Sequence, residues 1–189
     1  MPFPPLITTD RLVLRLPEHG DIPALLGFYR ENADHLALTS PLPPADFLTE
    51  AFWLRQVARN NEDFAEGRAV KFFLFDKNVP TTVVGFITLN NIVHGAAYYC
   101  DLGYALGEDR QGQGLMSESA AAVIRYAFDE MGLHRVKAAY LPFNERSGRL
   151  LRRLGFVVEG YARDYLLIQG QWQDQILVGL TNPNWSPRN

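Results

Sequence analysis

The sequence predicts an α/β (α+β) fold in which a mixed, mostly antiparallel central sheet is flanked by helices. Three observations carry this prediction. Two helical patterns fall between residues 21 and 65, three strand-like segments follow between residues 69 and 107, and helices alternate with strands in the remainder. Helices and strands in this order pack as layers around one core. We therefore expect a single domain over residues 1–189.

The composition is that of an ordinary globular protein, with 47% hydrophobic and 21% charged residues. The lone cysteine, Cys100, cannot form an internal disulfide, and no Cys/His cluster has zinc spacing, so we expect no metal. A net charge of -3, with Lys and Arg spread along the chain, argues against a nucleic-acid surface. The absence of a long apolar run and of a signal-peptide layout predicts a cytoplasmic protein with no membrane partner.

The first half of the chain predicts one strand and two helices. Polar and apolar residues alternate over 10–16, as in a half-buried strand. The first helix is expected to use Asp21 as its N-cap, with Pro23 in the first turn, where its missing N–H does no harm. The prolines of "SPLPP" (40–44) predict a loop, and a second helix is expected over 45–65.

The second half begins with strands and then alternates. β-Branched and aromatic residues indicate the strands, Asn144 is a candidate N-cap, and Gly132 and Gly155 mark helix ends. The predicted elements are antiparallel strands at 69–76, 82–93 and 97–107, a helix at 115–131, a strand at 135–141, a short helix after Asn144, and two strands joined around Gly170.

A glycine-bearing turn, "EDRQGQGLMSES" (108–119), joins the third of these strands to the next helix. Main-chain N–H groups at a helix N-terminus favour anions, and Gly112 and Gly114 have no Cβ to keep a phosphate away. The sequence has neither the G-K-S/T of a nucleotide P-loop nor the G-x-G-x-x-G of a dinucleotide fold. A glycine pair at such a junction is more often only a tight turn, so both interpretations stand at this point.

The neighbouring motifs extend this observation. "DLGYALGEDRQGQGLMSESAAAVIRYA" and the later "NERSGRLLRRLGF" resemble the GNAT superfamily of N-acetyltransferases over about residues 70–160. The whole chain, from "ITTDRLVLR" to "GYARDYLLIQGQWQDQ", is similar to the RimJ/RimL branch of ribosomal-protein N-acetyltransferases. The resemblance implies acetyl-CoA as cosubstrate and a GNAT-type sheet with a splayed strand pair that holds it.

The resemblance also implies which residues bind acetyl-CoA. The family motif Q/R-x-x-G-x-G/A is matched from Gln111 onward, with Met116 at the last position as in the RimJ/RimL type. Asn144 corresponds to a side chain that contacts the pantetheine arm, and Gly103 fits a bulge in the cofactor-binding strand. The implied cofactor-binding residues are Tyr104, Ala105, Leu106, Gln111, Gly112, Gln113, Gly114, Leu115, Met116 and Asn144.

Two further residues are catalytic candidates. Many superfamily members carry a proton-donating Tyr where this chain has Leu151, which leaves Ser147, one helical turn after Asn144, as the candidate acid. Asp101 stands where related proteins often carry a Glu, so it could accept a proton from the incoming amine through water. A covalent route through Cys100 is not expected, because alternation places it opposite Asp101 and no neighbouring base activates it.

The acceptor is expected to be the N-terminal α-amine of a protein, which the resemblance suggests is a ribosomal protein starting with Ala or Ser. An α-amine titrates near 7.7–8.0, so a modest base suffices. Tyr165 and Trp172 could line the acceptor groove, and no role is assigned to the histidines. Two alternatives stay open: an acetyltransferase for a small amine or antibiotic, and a non-catalytic CoA-binding module that assists ribosome assembly.

Overall fold

A computed structural model describes residues 4–187 and contains one eight-stranded sheet in the order β1-β2-β3-β4-β5-β6-β8-β7. The strands are β1 Leu6–Thr8, β2 Leu12–Arg15, β3 Val70–Asp76, β4 Val83–Val93, β5 Tyr99–Leu106, β6 Arg135–Tyr140, β7 Val157–Ile168 and β8 Gln171–Thr181. The α-helices are α1 Ile22–Glu31, α2 Ala33–Ala37, α3 Glu50–Ala65, α4 Leu115–Arg125 and α5 Glu145–Arg153. No helix in the described part of the chain is long and apolar enough to cross a membrane.

The predicted sheet is confirmed. Strands β3, β4 and β5 are antiparallel neighbours, and β7 pairs with β8 around the turn at Gly170. The parallel pair is β5 with β6, which the chain connects through α4. Strand β1 was not predicted, because its three residues are too few for a periodic pattern to show.

Each face of the sheet carries its own hydrophobic core. On one face, Leu115 and Val123 of α4 and Leu150 of α5 pack against β2 to β6. On the other face, Leu25 of α1 and Trp53 of α3 pack against β3, β4 and β5. Because side chains alternate along a strand, successive residues of β5 belong to different faces.

Some predicted helix boundaries and caps were wrong. The helix expected from Ala45 begins at Glu50, because the Thr49 hydroxyl accepts the Phe52 N–H and fixes the N-terminus there. Asp21 does not cap α1 with its side chain. Its two carboxylate oxygens instead accept hydrogen bonds from Arg15, each at 2.7 Å, so the ion pair takes the oxygens that a cap would use.

The helix expected over 115–131 also changes character before it ends. Regular α-helix stops at Arg125, and Tyr126–Glu130 form one π-helical turn. Gly132 follows at φ 67°, which agrees with its predicted role as a stop.

Gly103 was predicted to form a bulge, and this prediction was wrong. It lies in regular register opposite Thr88 on β4, and the irregularity between these strands falls at Asn90/Val93. A Cβ at position 103 would lie 2.8 Å from the Thr88 Oγ1, so the glycine is required by a close neighbour and not by a bulge.

The feature that positions the site is the divergence of β5 and β6. Their pairing begins at Tyr99 with Arg135 and ends at Leu102 with Ala138, although β5 continues to Leu106 and β6 to Tyr140. The main chain of β5 after Leu102 therefore has no ladder partner on the β6 side. This is the splayed strand pair of the predicted fold.

The partly buried Lys71 borders the core between the sheet and α3. The Lys71 Nζ lies 4.8 Å from the ring centre of Phe86, 5.2 Å from that of Phe73 and 5.8 Å from that of Trp53. Rings attract a cation less strongly than water solvates it, so burial lowers the pKa of Lys71 to about 8.

This burial predicts a pH-dependent stability. The folded pKa of Lys71, about 8, lies below its ordinary value of 10.5, so between these pH values the unfolded chain binds more protons. The free energy of unfolding of the wild type should therefore rise between pH 8 and about pH 10. Lys71→Met lacks this contribution, so in urea unfolding its free energy of unfolding should fall relative to that of the wild type over the same pH range. Lys77→Met, which removes an exposed charge, is the control. A pH-independent difference for Lys71→Met would contradict the prediction.

Candidate functional site

The turn that precedes α4 has a backbone only glycine adopts readily. Gly112 has φ 74° and Gly114 has φ 79°, in the left-handed region. The first intrahelical bond runs from the Glu118 N–H to the Gly114 carbonyl, so the N–H groups of the preceding helical residues have no acceptor within the helix. A Cβ at Gly112 would meet open space. The turn therefore offers free N–H groups to an anion, which a mere connection would not need.

Arg11 fixes the turn to the N-terminal strands. Its guanidinium donates to the Gln113 carbonyl at 2.7 Å and forms an ion pair with Glu118 at 2.7 Å. The Glu118 carboxylate also accepts the Arg11 main-chain N–H at 3.0 Å. Burial alone would raise the pKa of Glu118, but hydrogen bonds from Thr9 and Arg11 outweigh it and lower that pKa. The charged carboxylate is thus kept in place on α4.

The Gln111 side chain connects the turn to two other elements. Its Nε2 lies 2.7 Å from the Nε2 of His35 in α2, and its Oε1 accepts a hydrogen bond from Arg146 in α5. No role was assigned to any histidine from the sequence, so His35 is a correction. The sequence holds no signal for these contacts, because the three residues come from segments far apart in the chain.

Asn144 caps α5 as predicted. Its Oδ1 accepts the Ser147 N–H at 3.1 Å. The cap uses the oxygen, so the amide nitrogen of the same side chain is not consumed by it. The structural role and a ligand contact can therefore coexist in this residue.

The catalytic candidate Ser147 lies against a residue of the splayed strand. The Ser147 Oγ is 2.7 Å from the hydroxyl of Tyr104 in β5. Tyr104 was predicted only as a cofactor-binding residue, and the sequence gives no signal for this side-chain contact. Leu151, which stands at the position of the usual family tyrosine, is buried at 1% exposure in the core, so it contributes packing at this position.

Asp101 lies on the opposite face of the sheet from Ser147. Its carboxylate is 3.2 Å from the Lys137 Nζ and accepts a hydrogen bond from Asn91 at 2.8 Å. Asp101 and Lys137 form the ladder pair that precedes the last one before β5 and β6 diverge. The two catalytic candidates therefore flank the start of the gap from different sides.

Cys100 is buried, as predicted. It is fully enclosed in the core beneath α4, and burial raises the pKa of its thiol to about 12, with the nearby Asp101 adding to the rise. A thiol with such a pKa is not a nucleophile near neutral pH.

A cavity of about 230 Å³ opens beside the loop that leads to Asn144. Its lining contains no charged side chain and consists of Ala37, Leu38, Leu141, Phe143, Ile168, Gln169, Gln171 and Gln173. Gln169, in the turn between β7 and β8, donates to the Ser40 carbonyl at 3.1 Å and connects the two walls. Tyr165 and Trp172 are 49% and 61% exposed and do not line this cavity, so their place in an acceptor groove stays a prediction.

Within residues 4–187, no three His, Cys, Asp or Glu side chains lie close enough together to hold a metal ion. The groups at the site are main-chain N–H groups, two hydroxyls, one carboxylate and the basic side chains that contact them.

Comparison with known proteins agrees with this arrangement. Residues 11–157 match the acetyltransferase (GNAT) domain family. The chain is 42% identical over 181 residues to ribosomal protein uS5-alanine N-acetyltransferase of Escherichia coli (strain K12), covering 96% of this chain and 93% of that protein. It is 31% identical to the probable N-acetyltransferase YjcK of Bacillus subtilis (strain 168), covering 84% and 87%.

Solved structures give the same result. The ribosomal-protein-S5-alanine acetyltransferase of Vibrio fischeri superposes with a TM-score of 0.91 at 32% identity, over 97% of this chain and 100% of that one. RimJ of Mycobacterium smegmatis, in complex with CoA-disulfide, superposes with a TM-score of 0.86 at 25% identity, over 93% and 86%. The non-catalytic alternative is not supported by these relatives. The chain belongs to the GNAT family of acetyltransferases, and its activity is acetyl-CoA-dependent N-acetyl transfer.

Proposed function

We propose that this enzyme acetylates the N-terminal α-amine of a ribosomal protein that begins with Ala or Ser, with the alanine of uS5 as the first candidate. The observation that carries the proposal is the 42% identity, over nearly the full length of both chains, to an enzyme named for that substrate. Ribosomal proteins are made in the cytoplasm, where we expect the enzyme to act.

We place acetyl-CoA on the cofactor-binding residues that the family resemblance implied. The pyrophosphate lies on the N–H groups from Gln111 to Met116, and the pantetheine arm passes Asn144. The thioester lies in the gap between β5 and β6, beside the main chain of 104–106. The support is physical: the N–H groups of Leu115 and Met116 have no acceptor within the helix, Gly112 faces open space, and the β5 edge has no ladder partner there.

Gly112→Ala tests the pyrophosphate site. The added methyl would enter the space that the phosphate needs, so we expect the affinity for CoA to fall at least about tenfold, the effect of a lost 1.4 kcal/mol. Gly95→Ala is the matched control, because Gly95 also has positive φ and open space but lies in the β4–β5 turn. Isothermal titration with CoA measures both. Equal affinities for the two variants would reject the site.

The proposed reaction is a direct attack of the neutral amine on the thioester within a ternary complex. Holding both reactants together contributes several kcal/mol by proximity. Asp101 accepts the amine proton, directly or through water, from the face of the sheet opposite the leaving group. Lys137 and Asn91 orient its carboxylate.

Replacement of Asp101 tests this role. Asp101→Asn should lower kcat/KM about 100-fold at pH 7, the lower end for general base catalysis. The loss should narrow above pH 8, where the α-amine, with a pKa near 7.7–8.0, deprotonates without help. Lys137→Met breaks the same ion pair but keeps the carboxylate, and it should lose much less activity. A loss from Asp101→Asn that is independent of pH would argue against a base.

The cavity beside Asn144 supports a small, uncharged first residue in the acceptor. Its lining of amide and apolar side chains offers no oppositely charged partner for a charged side chain, and burying an unpaired charge is costly. Its open side leaves room for the chain that follows the first residue of a peptide.

The acceptor is tested with acetyl-CoA and peptides analysed by mass spectrometry. A peptide that copies a uS5 N-terminus with alanine first should gain one acetyl group on its α-amine. The same peptide with a blocked N-terminus and an internal lysine should gain none, and one beginning with Asp should react poorly. Transfer to a small amine or an aminoglycoside without transfer to the alanine peptide would favour the small-substrate alternative and reject the proposal.

A further inference from the structure

The hydroxyls of Tyr104 and Ser147 form a hydrogen-bonded pair where β5 and β6 diverge. Their oxygens are 2.7 Å apart. Tyr104 lies in the part of β5 that has left its β6 partner, and Ser147 lies in the first turn of α5. The contact therefore joins β5, which borders the gap, to the first turn of α5.

The position of Ser147 is fixed from two sides. Its main-chain N–H is held by the Asn144 cap at 3.1 Å. The next residue, Gly148, packs against the ring of Tyr140 in β6 so closely that a Cβ there would lie 2.9 Å from a ring atom. The α5 turn thus rests directly on β6, so the backbone of Ser147 is held at a fixed distance from Tyr104.

The 2.7 Å contact permits either hydroxyl to donate. A phenol is the stronger acid of the two, so donation from Tyr104 to Ser147 is the more favourable arrangement. Burial raises the pKa of Tyr104 to about 12, opposed in part by the Ser147 hydrogen bond, while the neighbouring Tyr140 adds to the rise. Tyr104 consequently keeps its proton throughout the pH range in which the amine titrates.

We propose that Tyr104 is a positioning residue for the leaving group: its hydroxyl donates to Ser147 and so directs the serine hydrogen toward the sulfur that departs from the thioester. The inference rests on the proposed place of the thioester in the gap. It assigns Ser147 a different task from the acid that the family resemblance implied. The serine hydroxyl stabilises the developing thiolate as a hydrogen-bond donor, Tyr104 polarises that hydroxyl, and both residues retain their protons.

The proton balance of the reaction is consistent with Tyr104 and Ser147 both keeping their protons. The amine nitrogen bonds to the carbonyl carbon, the carbon–sulfur bond breaks, and its electron pair stays on sulfur. The nitrogen loses one proton to Asp101 or water, and the sulfur gains one from solvent, so amide and thiol are formed. A thiol titrates near 8.5, far below Tyr104, so a transfer of the phenol proton to the thiolate would be unfavourable.

A double-mutant cycle tests the proposal, with thiol release measured under saturating acceptor. Ser147→Ala should lower kcat about 10- to 100-fold, as expected for a lost hydrogen bond to a charged group. Tyr104→Phe, which keeps the ring, should lower kcat about fivefold to tenfold, with the KM for acetyl-CoA unchanged within about twofold. The double variant should equal Ser147→Ala alone. Tyr126→Phe, a core tyrosine beyond α4, is the control and should retain full activity.

Two outcomes would overturn the inference, and a third would overturn only the proposed acceptor. If Tyr104→Phe lowers kcat by the same factor in the wild-type and the Ser147→Ala backgrounds, the tyrosine acts through packing. The kcat/KM of the wild type should rise as the amine deprotonates and then stay level. If it instead decreases below about pH 10, a group in the site gives up its proton, contrary to the inference. If wild type uses an acceptor other than the alanine peptide, the proposed acceptor fails, and the same cycle measured with the acceptor it does use still decides the role of Tyr104.

Discussion

The separation of β5 from β6 is the constraint on which the site depends. A sheet satisfies its main-chain groups by pairing every strand, and here the pairing stops at Leu102 and Ala138 while both strands continue. Unpaired N–H and C=O groups inside a protein are costly unless another partner takes them. In the proposed arrangement, the pantetheine arm of acetyl-CoA, which carries amide groups of its own, is such a partner.

The alternation of side chains along β5 divides the chemistry between the two faces. Asp101 meets Lys137 and Asn91 on the face covered by α1 and α3, whereas Tyr104 meets Ser147 on the face covered by α4 and α5. An odd spacing of three residues along a strand produces this separation. In the proposed reaction, the amine thus approaches the thioester from the face with Asp101, and the thiolate leaves toward the face with Ser147.

The turn before α4 is held by contacts from distant segments. Gly112 and Gly114 permit its backbone, but Arg11 from the N-terminal strands and Arg146 from α5 hold it in place. Such preorganisation reduces the entropy lost when an anion binds. The Arg146 guanidinium also brings a positive charge beside a turn whose N–H groups already favour a phosphate.

The sequence by itself determined the element order apart from β1 and α2, the antiparallel strands β3 to β5, the cap at Asn144 and the glycine turn, because each depends on residues close together in the chain. The order of its motifs also predicted the GNAT family. It did not locate the start of α3, the pairing of Asp21 or the reason for Gly103, since each depends on a specific side-chain contact that periodicity does not show. The contacts of Tyr104 with Ser147 and of Gln111 with His35 were decided only by the tertiary structure, which brings together side chains 43 and 76 residues apart. Local periodicity holds no information about such distances, because packing between elements and not propensity within them sets which side chains meet.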